Sequence, residues 1–379
     1  MSSKRTAEPG KADVGAQLHA HFLRAGFAGA ELPILQNAEP FFELSGEDIR
    51  RRLFLTADED GTEMCLRPEF TIPAARAYLA SGIAPKLTQQ VFFGPVFRHR
   101  VGESGEFAQV GVESFGRSDI EAADADVLAE VVTALKSVVP DEALSITIGD
   151  QGLFSALLAA LALDAATQRR LALAFSEGRL SNLLDPARPK RAEGEARGLA
   201  RYSGVLDALK GADPVEAKAF VKDLLSMAGI TATGGRSAAD IAGRFLERAQ
   251  AETQVLGVEQ AEILRRFLAI SGGPDAVAAQ IKALAKDTGL DLSAALERFE
   301  TRIGFLEARG IALSSVTAKC GFARAMDYYS GFVFEISRPG ATRPVAAGGR
   351  YDRLFERLGK AVPGIGAAIW VDRLEGGAK

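Results

Sequence analysis

Histidine and cysteine are nearly missing from this chain: 379 residues contain His19, His21 and His99, and only Cys65 and Cys320. Two thiols cannot form a disulfide framework, nor a zinc site alone, and three scattered imidazoles do not form a histidine-rich centre. No metal or cofactor is expected. Long apolar runs are also absent. None approaches the roughly 18 residues of a membrane span, and the first residues lack the apolar core of a secretory signal. The expectation is a cytoplasmic chain with no membrane partner. Neither sign of charge dominates: 45 Lys and Arg against 49 Asp and Glu leave a net charge of −4. That balance supplies no general field for phosphates, so nucleic acid is not an expected partner. What remains, 47% apolar and 25% charged, is an ordinary globular composition with enough length for two or three domains.

The informative stretch runs from Gln90 to Gly116, Q-V-F-F-G-P-V-F-R-H-R-V-G-E-S-G-E-F-A-Q-V-G-V-E-S-F-G. It reads as two apolar strands joined by a short polar loop with turn glycines at Gly102 and Gly105. Side chains alternate along a strand, so Phe107, Gln109, Gly111, Glu113 and Phe115 share one side. Gln109 and Glu113 then stand roughly 13 Å apart at about 3.3 Å per residue, with Gly111 leaving a gap between them. That gap is about the size of an amino acid. On spacing alone a solvated strand face accounts for the pattern, but the flanking aromatics argue against simple solvation.

In chain order, residues 1–10 form a flexible polar tail. Val14, Leu18 and Phe22 mark an amphipathic helix within Lys11–Gly26, on which His19 and His21 are bystanders. Leu53–Ala57 and Glu63–Arg67 form a strand pair around the D-E-D-G turn at Asp58–Gly61. A helix begins in Phe70–Ala80. Another spans Asp124–Val139, with Asp124 as its cap and Leu128, Val131, Val132, Leu135 and Val139 on one side. Leu144–Ile148 alternates as a strand. From Gln151 to Arg309 the spacing turns helical almost throughout. Within this region Asp185–Arg201 is a loop or short exposed helix. Its Arg188, Lys190, Arg191, Arg197 and Arg201 could touch an anion, but interleaved Glu193 and Glu195 favour a solvated surface. Gly234–Gly235–Arg236 lacks the Lys-Ser/Thr of a phosphate loop and reads as a turn. Strands return from Ala318. The organisation expected is a discontinuous domain over residues 11–150 and 310–379, interrupted by a mainly helical insertion over 151–309.

Four stretches in order resemble the histidyl-tRNA synthetase family of class II synthetases. Gln90–Gly116 is similar to motif 2, and Leu66–Thr71, L-R-P-E-F-T, to the family's L-R-P-E-G-T. Arg324–Ile336, R-A-M-D-Y-Y-S-G-F-V-F-E-I, resembles its histidine-binding signature, with Ala325–Met326 in place of Gly-Leu. Gly348–Leu374 resembles the glycine-rich strand and motif 3. Ala30–Phe42 is similar to motif 1, where the family forms its homodimer. The implied fold is α+β: an antiparallel class II sheet of six or seven strands flanked by helices, carrying the helical insertion. Carried over by motif position, the ligand-binding set is Glu69, Thr71 and Gln109 for an ammonium, Glu113 and Tyr329 for an imidazole, and Arg324 near the carboxylate and reacting phosphate, with Tyr328 beside them.

The nucleotide side departs from the family. Arg98 is followed by Arg100 where a glutamate accepts from the adenine amine, and a guanidinium has no acceptor. Trp370 stands where motif 3 has a glycine, and an indole carries roughly 150–250 Å² of surface, enough to fill the adenosine space. Arg98, Arg100, Phe107, Trp370 and Arg373 thus make a degenerate ATP site. The loop after Arg98 is also shorter than the family's. Nothing after Leu374 corresponds to the synthetases' anticodon-binding domain, so none is expected. Retained amino-acid residues beside a lost nucleotide site resemble the synthetase-like subunits that regulate ATP phosphoribosyltransferase. The resemblance implies a non-catalytic partner of the short-form catalytic subunit in a hetero-octamer. There it activates the first step of histidine biosynthesis and mediates its feedback inhibition by L-histidine. The alternative is a truncated ligase that activates an amino acid with ATP, which Arg98, Arg324 and Arg373 would suit.

Overall fold

The computed structural model describes residues 13–45, 49–140, 143–184, 256–324, 326 and 328–375. Its strands are β1 (Ala28–Gly29), β2 (Leu35–Asn37), β3 (Leu55–Ala57), β4 (Glu63–Leu66), β5 (Thr88–Phe97), β6 (Glu106–Phe115), β7 (Ser145–Asp150), β8 (Ser271–Gly272), β9 (Val316–Lys319), β10 (Phe332–Ser337), β11 (Ala346–Arg350) and β12 (Gly364–Trp370). Nine of them form one sheet in the order β1-β5-β6-β12-β11-β10-β7-β9-β8; the other three form a small sheet, β2-β4-β3. The large sheet is antiparallel at its centre, where β5, β6, β12, β11, β10 and β7 pair in turn. Parallel pairs occur only near its margins, β1–β5 and β7–β9. The sheet exceeds the six or seven strands expected because short segments extend it: β1 and β8, at its two ends, have two residues each.

The two faces of the sheet are covered differently. On one side pack the helices Val14–Arg24, Ile120–Val138, Gln151–Ala160, Val258–Ala269, Pro274–Thr288 and Ser293–Ala308, whose apolar residues join one continuous core with the sheet. Asp13 starts the first of these by accepting from the N–H of Ala16 at 3.2 Å, and its Leu18 and Phe22, one turn apart, are fully buried. On the other side the helices Glu39–Leu44, Thr71–Ala80 and Asp352–Arg357 enclose a second, aromatic-rich core that includes Phe70, Phe92, Phe115, Tyr328, Tyr351 and Trp370. The candidate site lies on this side. The D-E-D-G turn joins β3 to β4, with Asp58 Oδ1 accepting from the N–H groups of Asp60 and Thr62 at 3.0 and 2.8 Å.

One expectation is corrected. The helix expected to start at Asp124 begins at Ile120, and Asp124 lies inside it, fully buried. The carboxylate accepts from Arg302 Nε and Arg350 Nε, each at 2.8 Å, instead of capping backbone amides. Arg302 also donates to Asp150 Oδ2 at 2.7 Å. Two buried cations therefore hold Asp124 on the helix's inner face, and the Glu-Ala-Ala ahead of it extends the helix without strain.

The helical stretch 151–309 also contributes β8 to the sheet edge. The tail 1–10, the basic stretch 185–201 and the turn at 234–236 lie outside the described residues.

Candidate functional site

The site is built where β6 meets β12. Their register sets Gln109 opposite Trp370, Gly111 opposite Ala368 and Glu113 opposite Gly366. The alternation read from the sequence therefore places one polar side chain at each end of a floor of small residues. Glu69 and Thr71 come in at the start of the helix Thr71–Ala80, Arg98 follows the end of β5, and Arg324, Tyr328 and Tyr329 come from the segment before β10. All seven residues expected to bind an amino acid line this one pocket, together with Arg98 and Trp370. Arg100, Phe107 and Arg373 stand outside its wall. The Arg98 and Arg100 guanidiniums lie over the Phe107 ring at 5.1 and 4.0 Å, and Arg373 lies over Trp370 at 4.2 Å. Ala325 and Asp327, within the histidine-type signature, are outside the described residues.

Glu69 is buried and turned onto the helix start, accepting from the N–H of Thr71 at 2.6 Å and of Ile72 at 3.0 Å. Burial still drives its carboxyl above the ordinary value, against those hydrogen bonds and the nearby Arg98 charge. Glu113 is also buried. Its Oε1 accepts from the Thr71 hydroxyl at 2.7 Å, and its Oε2 from the Tyr351 phenol. Burial pushes its carboxyl up to about 8 despite both bonds. Tyr351 is a site residue that the motif comparison passed over, although it lies within the G-G-R-Y-D stretch. Gly366 is another: a Cβ there would run into Glu113 Oε2 and lie 2.5 Å from Val112 O. Gly366 stands at the first glycine of the motif 3 stretch, but only the register of β12 against β6 shows that it makes room for Glu113.

Protein groups crowd the side where a degenerate ATP site is expected. Trp370 is buried against the pocket. Arg100 Nη1 lies 3.1 Å from Asp372 and 2.9 Å from Glu103, and its Nε donates to Ser104 O at 2.9 Å. By contrast, the enclosed Nε atoms of Arg98, Arg324 and Arg373 have no acceptor among the described residues. Burial lowers the Arg98 guanidinium to about 10, and the Arg52 and Arg373 charges add to that; Arg373 is lowered to about 10 mainly by burial. The free space left among the lining side chains is about 30 Å³, well short of the roughly 150 Å³ cavity that admits benzene. An amino acid would enter only as the side chains around it shift.

Among the described residues no His, Cys, Asp and Glu group is arranged to hold a metal ion, and no helix is long and apolar enough to cross a membrane. Cys65 and Cys320 are both buried, which pushes each thiol up to about 12 and leaves it unreactive.

The family model for histidyl-tRNA synthetase matches residues 10–233 and 217–374. The ATP phosphoribosyltransferase regulatory subunit of Mesorhizobium japonicum is 40% identical over 352 residues, covering 91% of this chain and 92% of that protein. The chain belongs to the family of ATP phosphoribosyltransferase regulatory subunits. A regulatory subunit of Brucella canis is 37% identical over 356 residues, again 91% of this chain and 92% of the relative. Among solved structures, a Bacillus halodurans ATP phosphoribosyltransferase regulatory subunit/histidyl-tRNA synthetase superposes with a TM-score of 0.65 at 20% identity, covering 98% of this chain and 83% of that one. A Nostoc histidyl-tRNA synthetase gives 0.61 at 17% identity over 99% of this chain and 75% of that one. These two likenesses establish the class II synthetase-like fold.

Proposed function

We propose that this chain activates a short-form ATP phosphoribosyltransferase catalytic subunit and conveys feedback inhibition by L-histidine, catalysing nothing itself. The observation that carries the reading is the convergence of Glu69, Thr71, Gln109, Glu113, Arg324, Tyr328 and Tyr329 on one pocket beside a nucleotide position filled by Trp370. A zwitterionic amino acid with a polar ring finds a complement for each part: Glu69 and Gln109 for the ammonium, Arg324 for the carboxylate, Glu113 and Tyr329 for the ring. Inhibition then follows from linkage, because histidine can alter the partner's activity only by binding active and inactive assemblies with different affinity. The assembly proposed is a hetero-octamer containing homodimers of this chain formed through Ala30–Phe42.

Mixing the chain with a short-form catalytic subunit from the same organism should raise phosphoribosyl transfer and yield a larger complex by size-exclusion chromatography. Histidine should then suppress the rate of the complex. Co-elution without any change in turnover would reduce the role to a structural one, and the absence of both effects would remove the assignment.

The open Nε groups of Arg98 and Arg373 favour a second reading, an ATP-dependent ligase; Trp370 and the tied-up Arg100 stand against it. The single tryptophan separates the two. Histidine should change intrinsic fluorescence saturably, because Trp370 borders the pocket, whereas ATP should neither cause that change nor compete with it. Competition by ATP would revive the ligase.

A further inference from the structure

Two buried carboxyl groups, Glu69 and Glu113, face the same pocket. The Thr71 hydroxyl lies between them, 2.7 Å from Glu113 Oε1 and also hydrogen-bonded to Glu69. One hydroxyl has one hydrogen, so it cannot donate to both. Glu69 has further support when ionised: two backbone N–H groups at the start of a ten-residue helix, and the positive charge of Arg98. Glu113 has none of these. Around it stand Glu69 just before the helix and Thr71 at its first position, Arg98 after β5, Gln109 on its own strand, and Arg324, Tyr328 and Tyr329 before β10. Tyr351 follows β11, and β12 presents only Gly366. Among the described residues no cation pairs with Glu113, Arg324 is joined to Glu335, and the charge acting on Glu113 is that of Glu69, which is repulsive.

We infer that Glu113 sits in the pocket as a neutral carboxylic acid and recognises its ligand by donating a hydrogen bond to a bare ring nitrogen. With the proton on Oε1, every hydrogen has a place. In the ligand-free pocket Glu113 donates to Thr71 Oγ1, Thr71 donates to Glu69, and Tyr351 donates to Glu113 Oε2; on binding, the Glu113 proton turns from Thr71 to the ring nitrogen. The raised carboxyl value, about 8, agrees with this arrangement.

The inference rests on the histidine reading for its ligand and adds a rule of selection. A neutral imidazole carries one N–H and one bare nitrogen. The Glu113 acid serves the bare nitrogen and the Tyr329 hydroxyl can accept from the N–H. Ring and carboxyl hold one proton between them before and after binding, and in the complex it stays on Glu113. Affinity is therefore highest between the ring's own value, about 6.5, and that of Glu113. Above about 8 the free pocket has lost its proton and must regain it on binding, so affinity falls as pH rises. Between pH 7 and 9 that amounts to about tenfold.

Infrared spectroscopy of the ligand-free protein tests the acid directly. A protonated-carboxyl band should be present at pH 7, disappear by pH 10, and be missing from Glu113→Gln. Histidine affinity measured by calorimetry tests the donor. Glutamine keeps a donor that does not titrate, so the ratio of wild-type to Glu113→Gln affinity should fall about tenfold from pH 7 to 9. Absence of the band, or a ratio that stays level or rises with pH, as a group ionised throughout or one that must ionise to bind would give, overturns the inference. A titrating band in a protein that never binds histidine would uphold the acid and count against the histidine reading alone. The band's titration in the unmodified protein stands even if the variant fails to fold.

Discussion

Gly366→Ala is expected to abolish histidine binding and to destabilise the fold. The added methyl would run into Glu113 Oε2, sit 2.6 Å from Glu113 Cδ and 2.5 Å from the backbone oxygen of Val112. Neither strand can give way easily, because β12 is paired on both sides, with β6 and with β11. The cheapest relief is to expel Glu113, breaking its bonds to Thr71 and Tyr351. The ring nitrogen then loses its partner, and one unpaired buried polar group at about 1–3 kcal/mol corresponds to a loss of roughly tenfold or more in affinity. If the strands part instead, overpacking costs about 1–3 kcal/mol of stability. Gly304→Ala is the control: a Cβ there meets nothing within 4 Å, in the middle of the helix Ser293–Ala308, where alanine is favoured. Calorimetry with histidine and thermal melts of both variants check the pair. Full affinity in Gly366→Ala would mean that histidine does not use Glu113.

Much of this pocket could be read from alternation along one strand. Residues 107–115 have period-2 polarity, and that period fixed which side chains share a face before any partner strand was known. Partner strands are what alternation cannot supply. Gly366 and Tyr351 act on Glu113 from more than 200 residues away in sequence, and only the register of β12 against β6 brings them there. Asp124 was misplaced for a related reason. As the first acidic residue of an apolar stripe it has the look of a helix cap, while the arginines that claim it lie on β11 and on a distant helix. Its position four residues before Leu128, on the buried stripe, was the available signal: a charge at a core position implies a buried counter-charge. The edge strands β1 and β8 are too short to show any period at all.

Asp124→Ala is expected to be the most destabilising single substitution outside the pocket. The carboxylate is fully buried and accepts from Arg302 and Arg350, themselves only 4% exposed each. Those arginines bind further partners, Asp150 on β7 and Asp352 after β11. Asp352 in turn accepts from the N–H of Gly364, at the head of β12, at 2.8 Å. One side chain therefore ties the helices Ile120–Val138 and Ser293–Ala308 to three strands of the central sheet. Removing it leaves two guanidiniums buried with one carboxylate fewer, and breaking such a pair typically costs about 3–5 kcal/mol. Because the charges that remain are the source of the cost, replacing Arg302 by methionine in the same protein should recover part of the loss. Urea denaturation measures both steps. A loss below about 1 kcal/mol for Asp124→Ala, within the range of exposed ion pairs, would show that water reaches the cluster and that the sheet and its helical cover are held together by apolar contact alone.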